Sequence, residues 1–198
     1  IQVDTDSQGN LAVVFDNAGK SKIEGVELEL LWMPLPGTVV NLAASHNKYS
    51  FQEFNDRDLM AAVLGRNEII DRSDEAFPVS PEDMISLGIQ VAFPTSIGIF
   101  MPRIDVSYKS DIFMGLDDGS YTAYQRDVEL AGQPSYTLVD ARFTWSNSDG
   151  STTMTAFVKN MTNEKYRNGA ASVGDSIGTF FETYEAPRTF GLQCRHIF

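Results

Sequence analysis

The chain has 198 residues, and its 15 basic against 27 acidic side chains give a formal net charge of −12 at pH 7. That excess of acid opposes a polyanionic partner, because phosphate contacts supply most of the affinity in nucleic-acid complexes. With 42% hydrophobic residues, 11% aromatics and 15 glycines the chain reads as ordered; the single Cys194 allows no internal disulfide, and one cysteine with two histidines falls short of the four ligands of a structural zinc site. No apolar run reaches the roughly 18 to 20 residues of a spanning helix, and the chain opens on Ile1 with no secretion signal.

In chain order, residues 1–15 read as the end of an earlier strand and its loop. Seven strands of period two are expected near 21–33, 38–51, 82–94, 98–110, 135–146, 151–160 and 187–198. In VELELLW, Val26, Leu28, Leu30 and Trp32 alternate with Glu27 and Glu29. In MISLGIQVAF, Ile85, Leu87, Ile89, Val91 and Phe93 share one face; in FMPRIDVSYKS, Phe100, Ile104, Val106 and Tyr108 oppose Arg103, Asp105, Ser107 and Lys109. YTLVDARFTW sets Val139, Ala141, Phe143 and Trp145 against Asp140, Arg142 and Thr144.

The connections alternate in kind. PLPG (34–37), PTSIG (94–98) and NSDG (147–150) are short turn signals, whereas residues 51–81, 111–134 and 161–186 form long polar stretches of a length that compact domains rarely leave without a use. The first of these holds nine acids through Glu82 and Asp83 against Arg57, Arg66 and Arg72, and a helical turn is expected within it around Leu59 to Leu64.

Alternation alone fits two architectures. A soluble sandwich points its apolar faces into a shared core, while a transmembrane barrel points them outward into lipid. Three features favour the barrel: short turns at one end with long loops at the other, aromatics (Trp32, Phe93, Phe100, Trp145) beside the short turns, and a chain that ends on the strand TFGLQCRHIF, whose outward set is Phe190, Leu192, Cys194, His196 and Phe198.

The stretches NAGKSKIEGVELELLWMPLPG, VKNMTNEKYR and YEAPRTFGLQCRHIF, in that order and spacing, resemble the C-terminal part of the β-barrel of a TonB-dependent outer-membrane receptor, most similar to the siderophore or iron-complex branch. The resemblance covers the chain from about Asn17 onward. It implies an all-β, antiparallel up-and-down transmembrane barrel segment, about seven to eight strands out of about 22, with short periplasmic turns and long extracellular loops. Residues 1–198 then form the C-terminal portion of that barrel, with the plug domain absent and Ile1 a cut edge in a longer polypeptide. The implied function is binding and import of a scarce nutrient, most simply a ferric siderophore or other iron complex, energised through TonB in the outer membrane of a Gram-negative bacterium. The implied partners are outer-membrane lipid and lipopolysaccharide, the remaining strands, the plug, the TonB complex and a small-molecule ligand. The competing reading is a soluble or cell-surface β-sandwich adhesion module.

No catalytic constellation emerges: Glu27 and Glu29 are two residues apart on a strand with no third group, and no phosphate loop, serine elbow or metal-ligand cluster occurs. No enzyme activity, cofactor or metal site is therefore expected. Lumen-lining candidates are Glu27, Glu29, Arg103, Asp105, Lys109, Asp140 and Arg142; ligand-contact candidates are Tyr121, Tyr124, Phe180, Phe181 and Tyr184. The resemblance assigns a barrel-assembly signal to Gly191 and Phe198. Gly25 is expected to relieve crowding or permit a bulge; Asn160, Thr162 and Asn163 to cap a strand; Tyr166 to lie at the outer interface, with Lys165 and Arg167 facing lipid phosphates; Arg188 to anchor a loop or headgroup; and His46 and His196 to be interface or lipid-facing rings.

Overall fold

The computed structural model describes residues 2–5, 11–14, 19–57, 66, 68–114, 132–172 and 180–198. Its strands are β1 (Gln2–Thr5), β2 (Leu11–Val14), β3 (Gly19–Trp32), β4 (Thr38–Arg57), β5 (Ile69–Asp71), β6 (Asp83–Val91), β7 (Phe93–Thr95), β8 (Gly98–Lys109), β9 (Ile112–Phe113), β10 (Gly132–Gln133), β11 (Tyr136–Ser146), β12 (Thr152–Lys159), β13 (Arg167–Ser172), β14 (Phe180–Tyr184) and β15 (Thr189–His196). The main sheet runs β15-β12-β11-β8-β6-β4-β3, with β5 added to β4 and β7 to β8. Every pairing is antiparallel, so the sheet is a single up-and-down meander.

All seven spanning strands expected from the alternation are present. Strand β4 runs six residues beyond the expected end at Phe51, because Phe51, Glu53 and Phe54 still pair with the start of β3 and Asn55 to Arg57 pair with β5. The long connections also carry short strands that the alternation does not reveal: β5, the β9–β10 pair and the β13–β14 hairpin. β5, β9 and β10 are too short to show a period of two, and RNGAAS of β13 and FFETY of β14 do not alternate, yet each ladder satisfies backbone groups that a bare loop would leave to water. Residues 1–15, expected to be one strand end and a loop, contain the β1–β2 hairpin. The helical turn expected around Leu59 to Leu64 lies outside the described residues.

Register gives the sheet two chemically distinct faces. One row crosses seven strands as Trp32, Val40, Ile89, Ile104, Ala141, Val158 and Phe190. Nearer the short turns a second apolar row runs Phe93, Phe100, Trp145, Met154 and Cys194. Ring centroids of Phe100 and Phe143 lie 5.6 Å apart, and Trp145 Nε1–H donates to the Ile97 carbonyl at 3.1 Å. The other face carries Val39, Gln90, Arg103, Arg142, Phe157 and Gly191 in one row and Leu31, Asn41, Gly88, Asp105 and Asp140 in the next.

Among the described residues no second layer covers either face. Among the described residues Ile112 alone is a buried apolar side chain, while Leu192 is 86% and Phe190 83% exposed. A sandwich of this length would bury such residues between two sheets; here they form the outside of a single layer.

The three short turns lie together at one end. Gly37 and Gly150 adopt φ of 77° and 76°, the left-handed conformation that lets each hairpin reverse with few residues. Asn147 Oδ1 accepts the Thr152 N–H at 2.9 Å, and the Ser151 N–H on Asp149 Oδ1 at 2.8 Å holds that carboxyl below the usual carboxylate range. The last strand finishes at this end, where Ile197 N–H bonds the Ser151 carbonyl and the His196 ring meets Phe198 edge-on at 4.7 Å.

Candidate functional site

The polar face is built around one guanidinium. Arg103 of β8 lies across Gly88 of β6: its Nε donates to Asp105 Oδ1 at 2.9 Å and Oδ2 at 2.8 Å, and its Nη2 reaches Asn41 Oδ1 on β4 at 2.9 Å. One side chain thus ties β8 to β4 across β6. A Cβ at position 88 would stand 2.6 Å from Asn41 Oδ1 and 2.7 Å from Asp105 Oδ1, so the tie exists only because residue 88 is glycine. A parallel arrangement occurs on the last strand, where the Phe157 ring lies over Gly191, with Cζ 2.7 Å from where a Cβ would be.

All seven expected polar-face charges fall on this one face by register: Glu27 opposite Ser45, Glu29 opposite Ala43, Lys109 opposite Met84 and Tyr136, Asp105 opposite Gly88 and Asp140, and Arg103 opposite Gln90 and Arg142. They are not alike in role. Asp140 accepts the Asn160 backbone N–H at 2.8 Å and is a structural anchor.

Above that anchor the VKNMTNEKYR segment folds on itself. Asn160, with φ 50° and its side chain buried, donates through Nδ2 to the Glu164 carbonyl and accepts the Glu164 N–H through Oδ1, both at 2.8 Å. Asn163, φ 58°, accepts the Arg188 N–H at 3.0 Å, and Arg188 Nη1 leans on the Met161 carbonyl. The asparagines thus cap as expected, whereas Thr162 is exposed. The basic residues of the segment depart from expectation: Arg167 turns inward to the Gly132 carbonyl and to Glu182 at 3.0 Å, and Lys165 Nζ sits 4.2 Å over the Tyr184 ring. Tyr166 stacks on Tyr136 at 4.5 Å, and burial, ahead of Glu185 and Asp140, pushes its phenol up. The reason is local: the Gly132 carbonyl and the Glu182 carboxylate satisfy Arg167 at the loop base, and the Tyr184 ring takes the Lys165 ammonium.

At the long-loop end a cavity of about 330 Å³ opens between the segment following β5 and the segment leading into β9. Its walls include the rings of Tyr49, Phe77 and Phe113 and the carboxylates of Glu82, Asp83 and Asp111. Phe77 packs on Phe51 at 4.7 Å and Tyr49 at 5.6 Å, and Phe51 on Phe54 at 4.6 Å. Arg72, 3% exposed, braces the segment through Nη1 to Glu75 Oε1 at 3.0 Å and its N–H to the Phe54 carbonyl at 2.7 Å. Ser73 holds Asp71 with its hydroxyl and its N–H, which keeps the Asp71 carboxyl low. Val79, a β-branched residue at φ 54°, gives its N–H to the Phe113 carbonyl at 2.7 Å and ties the two segments together.

Sequence reading placed the ligand contacts elsewhere. Tyr121 and Tyr124 lie outside the described residues, as does the side chain of Phe180 in β14; Phe181 is exposed, and Tyr184 donates to Glu182 Oε2 at 2.6 Å. None of the described ones lines the cavity. Its aromatic wall is signalled in sequence only by the spacing Tyr49, Phe51, Phe54. Gly25 faces Asn47, whose side chain fills the place of a Cβ, so the crowding reading holds; the bulge of β3 falls at Lys20/Ser21. His46 Nδ1 meets Asp83 Oδ1 at 2.7 Å and His196 Nδ1 meets Thr152 Oγ1 at 2.9 Å.

A single-layer antiparallel meander with one apolar and one charged face, short turns at one end and elaborated loops at the other, is the wall of an outer-membrane-type β-barrel. The profile of the TonB dependent receptor-like, beta-barrel family matches residues 1–161, and the chain belongs to that family. It is a family of transport receptors in the outer membrane of Gram-negative bacteria. Among solved structures the chain is similar to the ferric yersiniabactin uptake receptor FyuA from Yersinia pestis, with 20% identity and TM-score 0.70 over 91% of this chain and 24% of that one. It is also similar to the ferric-catecholate import receptor Fiu from K12 E. coli, with 17% identity and TM-score 0.64 over 98% of this chain and 23% of that one. A third likeness is to FpvAI in its complex with pyocin S2, at 16% identity and TM-score 0.59 over 89% of this chain and 20% of that one. The chain thus spans about a quarter of the length of these receptors. No curated protein matches it significantly by sequence.

Proposed function

We propose that residues 1–198 are the C-terminal portion of the barrel of an outer-membrane receptor that binds a ferric siderophore or other iron complex and imports it with energy supplied through TonB. The observation that carries this reading is the two-faced sheet in a chain of the TonB-dependent receptor family. In it the apolar rows face lipid, the short turns and Phe198 lie on the periplasmic side, and the long loops face outward near lipopolysaccharide. Glu27, Glu29, Arg103, Asp105, Lys109, Asp140 and Arg142 line the lumen and meet the plug, which the rest of the polypeptide supplies together with the TonB contact. Gly191 and Phe198 carry the assembly signal.

Deleting the gene in its host and following radiolabelled iron uptake from a panel of ferric siderophores tests the reading. Uptake of at least one complex falls to background in the deletion strain, and the strain grows poorly under iron limitation. Growth and uptake unchanged for every complex remove the iron assignment.

A further inference from the structure

Among the described residues, the cations of the acidic stretch around the cavity are already paired. Lys20 pairs with Glu53 at 2.8 Å, Arg72 with Glu75 at 3.0 Å, and Arg66 stands 3.9 Å from Glu68. Asp83 is held by His46. Lys109 precedes Ser110 in the chain but lines the separate space shared with Glu27 and Glu29. Glu82 and Asp111 are left on the cavity wall with no cationic partner among the described residues.

The rings of Tyr49, Phe77 and Phe113 line the same cavity as these carboxylates. The Phe77 ring stacks on Tyr49 and on Phe51, and the Val79 N–H to Phe113 carbonyl bond ties the two wall segments together. Rigid rings beside unpaired carboxylates attract a positive charge twice over: the ring quadrupole draws it to the face, and the carboxylates neutralise it. A volume of about 330 Å³ takes a small ligand or one arm of a larger one. An anionic group in the same space would meet the carboxylates of Glu82 and Asp111 with no cation among the described lining residues to offset them.

We propose that this cavity is a binding subsite for an organic cation, an ammonium or guanidinium group of the transported molecule or of an appendage on it. The inference deepens the import reading by specifying the charge of the ligand at one place on the outer surface, and it rests on that reading only for the word transported. Glu82 and Asp111 supply the charge, and Tyr49, Phe77 and Phe113 the ring faces.

The test is independent of iron. With the full-length polypeptide in lipid nanodiscs, saturation-transfer NMR follows choline and its neutral isostere 3,3-dimethylbutan-1-ol. Choline binds at least about tenfold more tightly than the isostere. The conservative double variant Glu82→Gln/Asp111→Asn, which keeps the size of both side chains, loses most of that preference, and Phe77→Ala weakens choline without creating affinity for the isostere. Equal binding of the two probes by the unaltered protein overturns the proposal, as does choline binding that both variants leave unchanged. A null iron-uptake result with a preserved choline preference would fault the import reading and leave the cation subsite standing.

Discussion

Gly88 shows how much one residue can carry in a single-layer sheet. With no core beneath it, the sheet gains cross-strand order from backbone ladders and from side chains that span strands, and Arg103 is the longest such tie among the described residues. Placing valine at position 88 puts atoms where the guanidinium, Asn41 Oδ1 and Asp105 Oδ1 now meet, and the charge-assisted bonds to Asp105 and Asn41 must open. Because Asp105 is partly exposed, the expected loss is at the low end of the range for hydrogen bonds to charged groups, about 1 to 2 kcal/mol. Gly88→Val in the full-length receptor, refolded into liposomes, should lower the urea midpoint accordingly; a midpoint equal to that of the unaltered protein would show that the tie contributes nothing. Position 88 was legible in sequence only as a member of the polar face. Its partners sit 15 to 47 residues away, and their meeting depends on a register that alternation does not set.

The spanning strands were readable because a period of two sustained over eight or more residues suits a strand and no helix, and the turns were readable because Gly37 and Gly150 sit where hairpins need a left-handed residue. The loop elements were not readable for the converse reason. β5, β9 and β10, of two or three residues, carry no period, the longer β13 and β14 do not alternate, and a tertiary bond from a distant side chain helps to order them. Arg167 is such a side chain: read as a headgroup contact, it instead takes the Gly132 carbonyl of β10 and Glu182 of β14, while its own N–H reaches Gln133 Oε1 at 2.6 Å. It thereby joins the second and third long loops. Arg167→Ala should speed amide hydrogen exchange across β10 and β13 by tenfold or more and leave the amides of β11 and β12, which the main ladder protects, at their original rates. Unchanged exchange in β10 would mean that the loops are ordered by something other than this residue. The aromatic cavity wall escaped the sequence reading on the same grounds, since Phe77 and Phe113 reach Tyr49 only through the folded loops.

At the scale of the whole sheet, alternation in sequence says that two faces differ without saying what covers the apolar one. Exposure separates sandwich from barrel: among the described residues no second layer lies over Phe190, Leu192 and Ile104, as expected of a barrel wall whose apolar face meets hydrocarbon. This assignment makes neighbouring residues on one strand respond oppositely to the same substitution. Leu192 lies in the row Pro102, Phe143, Ala156, Leu192, midway along β15, on the apolar face that the proposed barrel turns to lipid; Gln193 lies in the row Met101, Thr144, Thr155, Gln193 on the charged face. An arginine at a lipid-facing position near the bilayer midplane costs about 2 to 4 kcal/mol, whereas one on a wet wall keeps its hydration. Leu192→Arg should therefore destabilise the full-length receptor in liposomes by that amount and reduce its yield of folded, heat-modifiable barrel, while Gln193→Arg should change stability by less than about 0.5 kcal/mol. Were the apolar face packed against protein and the charged face against lipid, Gln193→Arg would be the damaging substitution. Equal losses from both would place protein on either side of β15 and dismiss the single-layer wall.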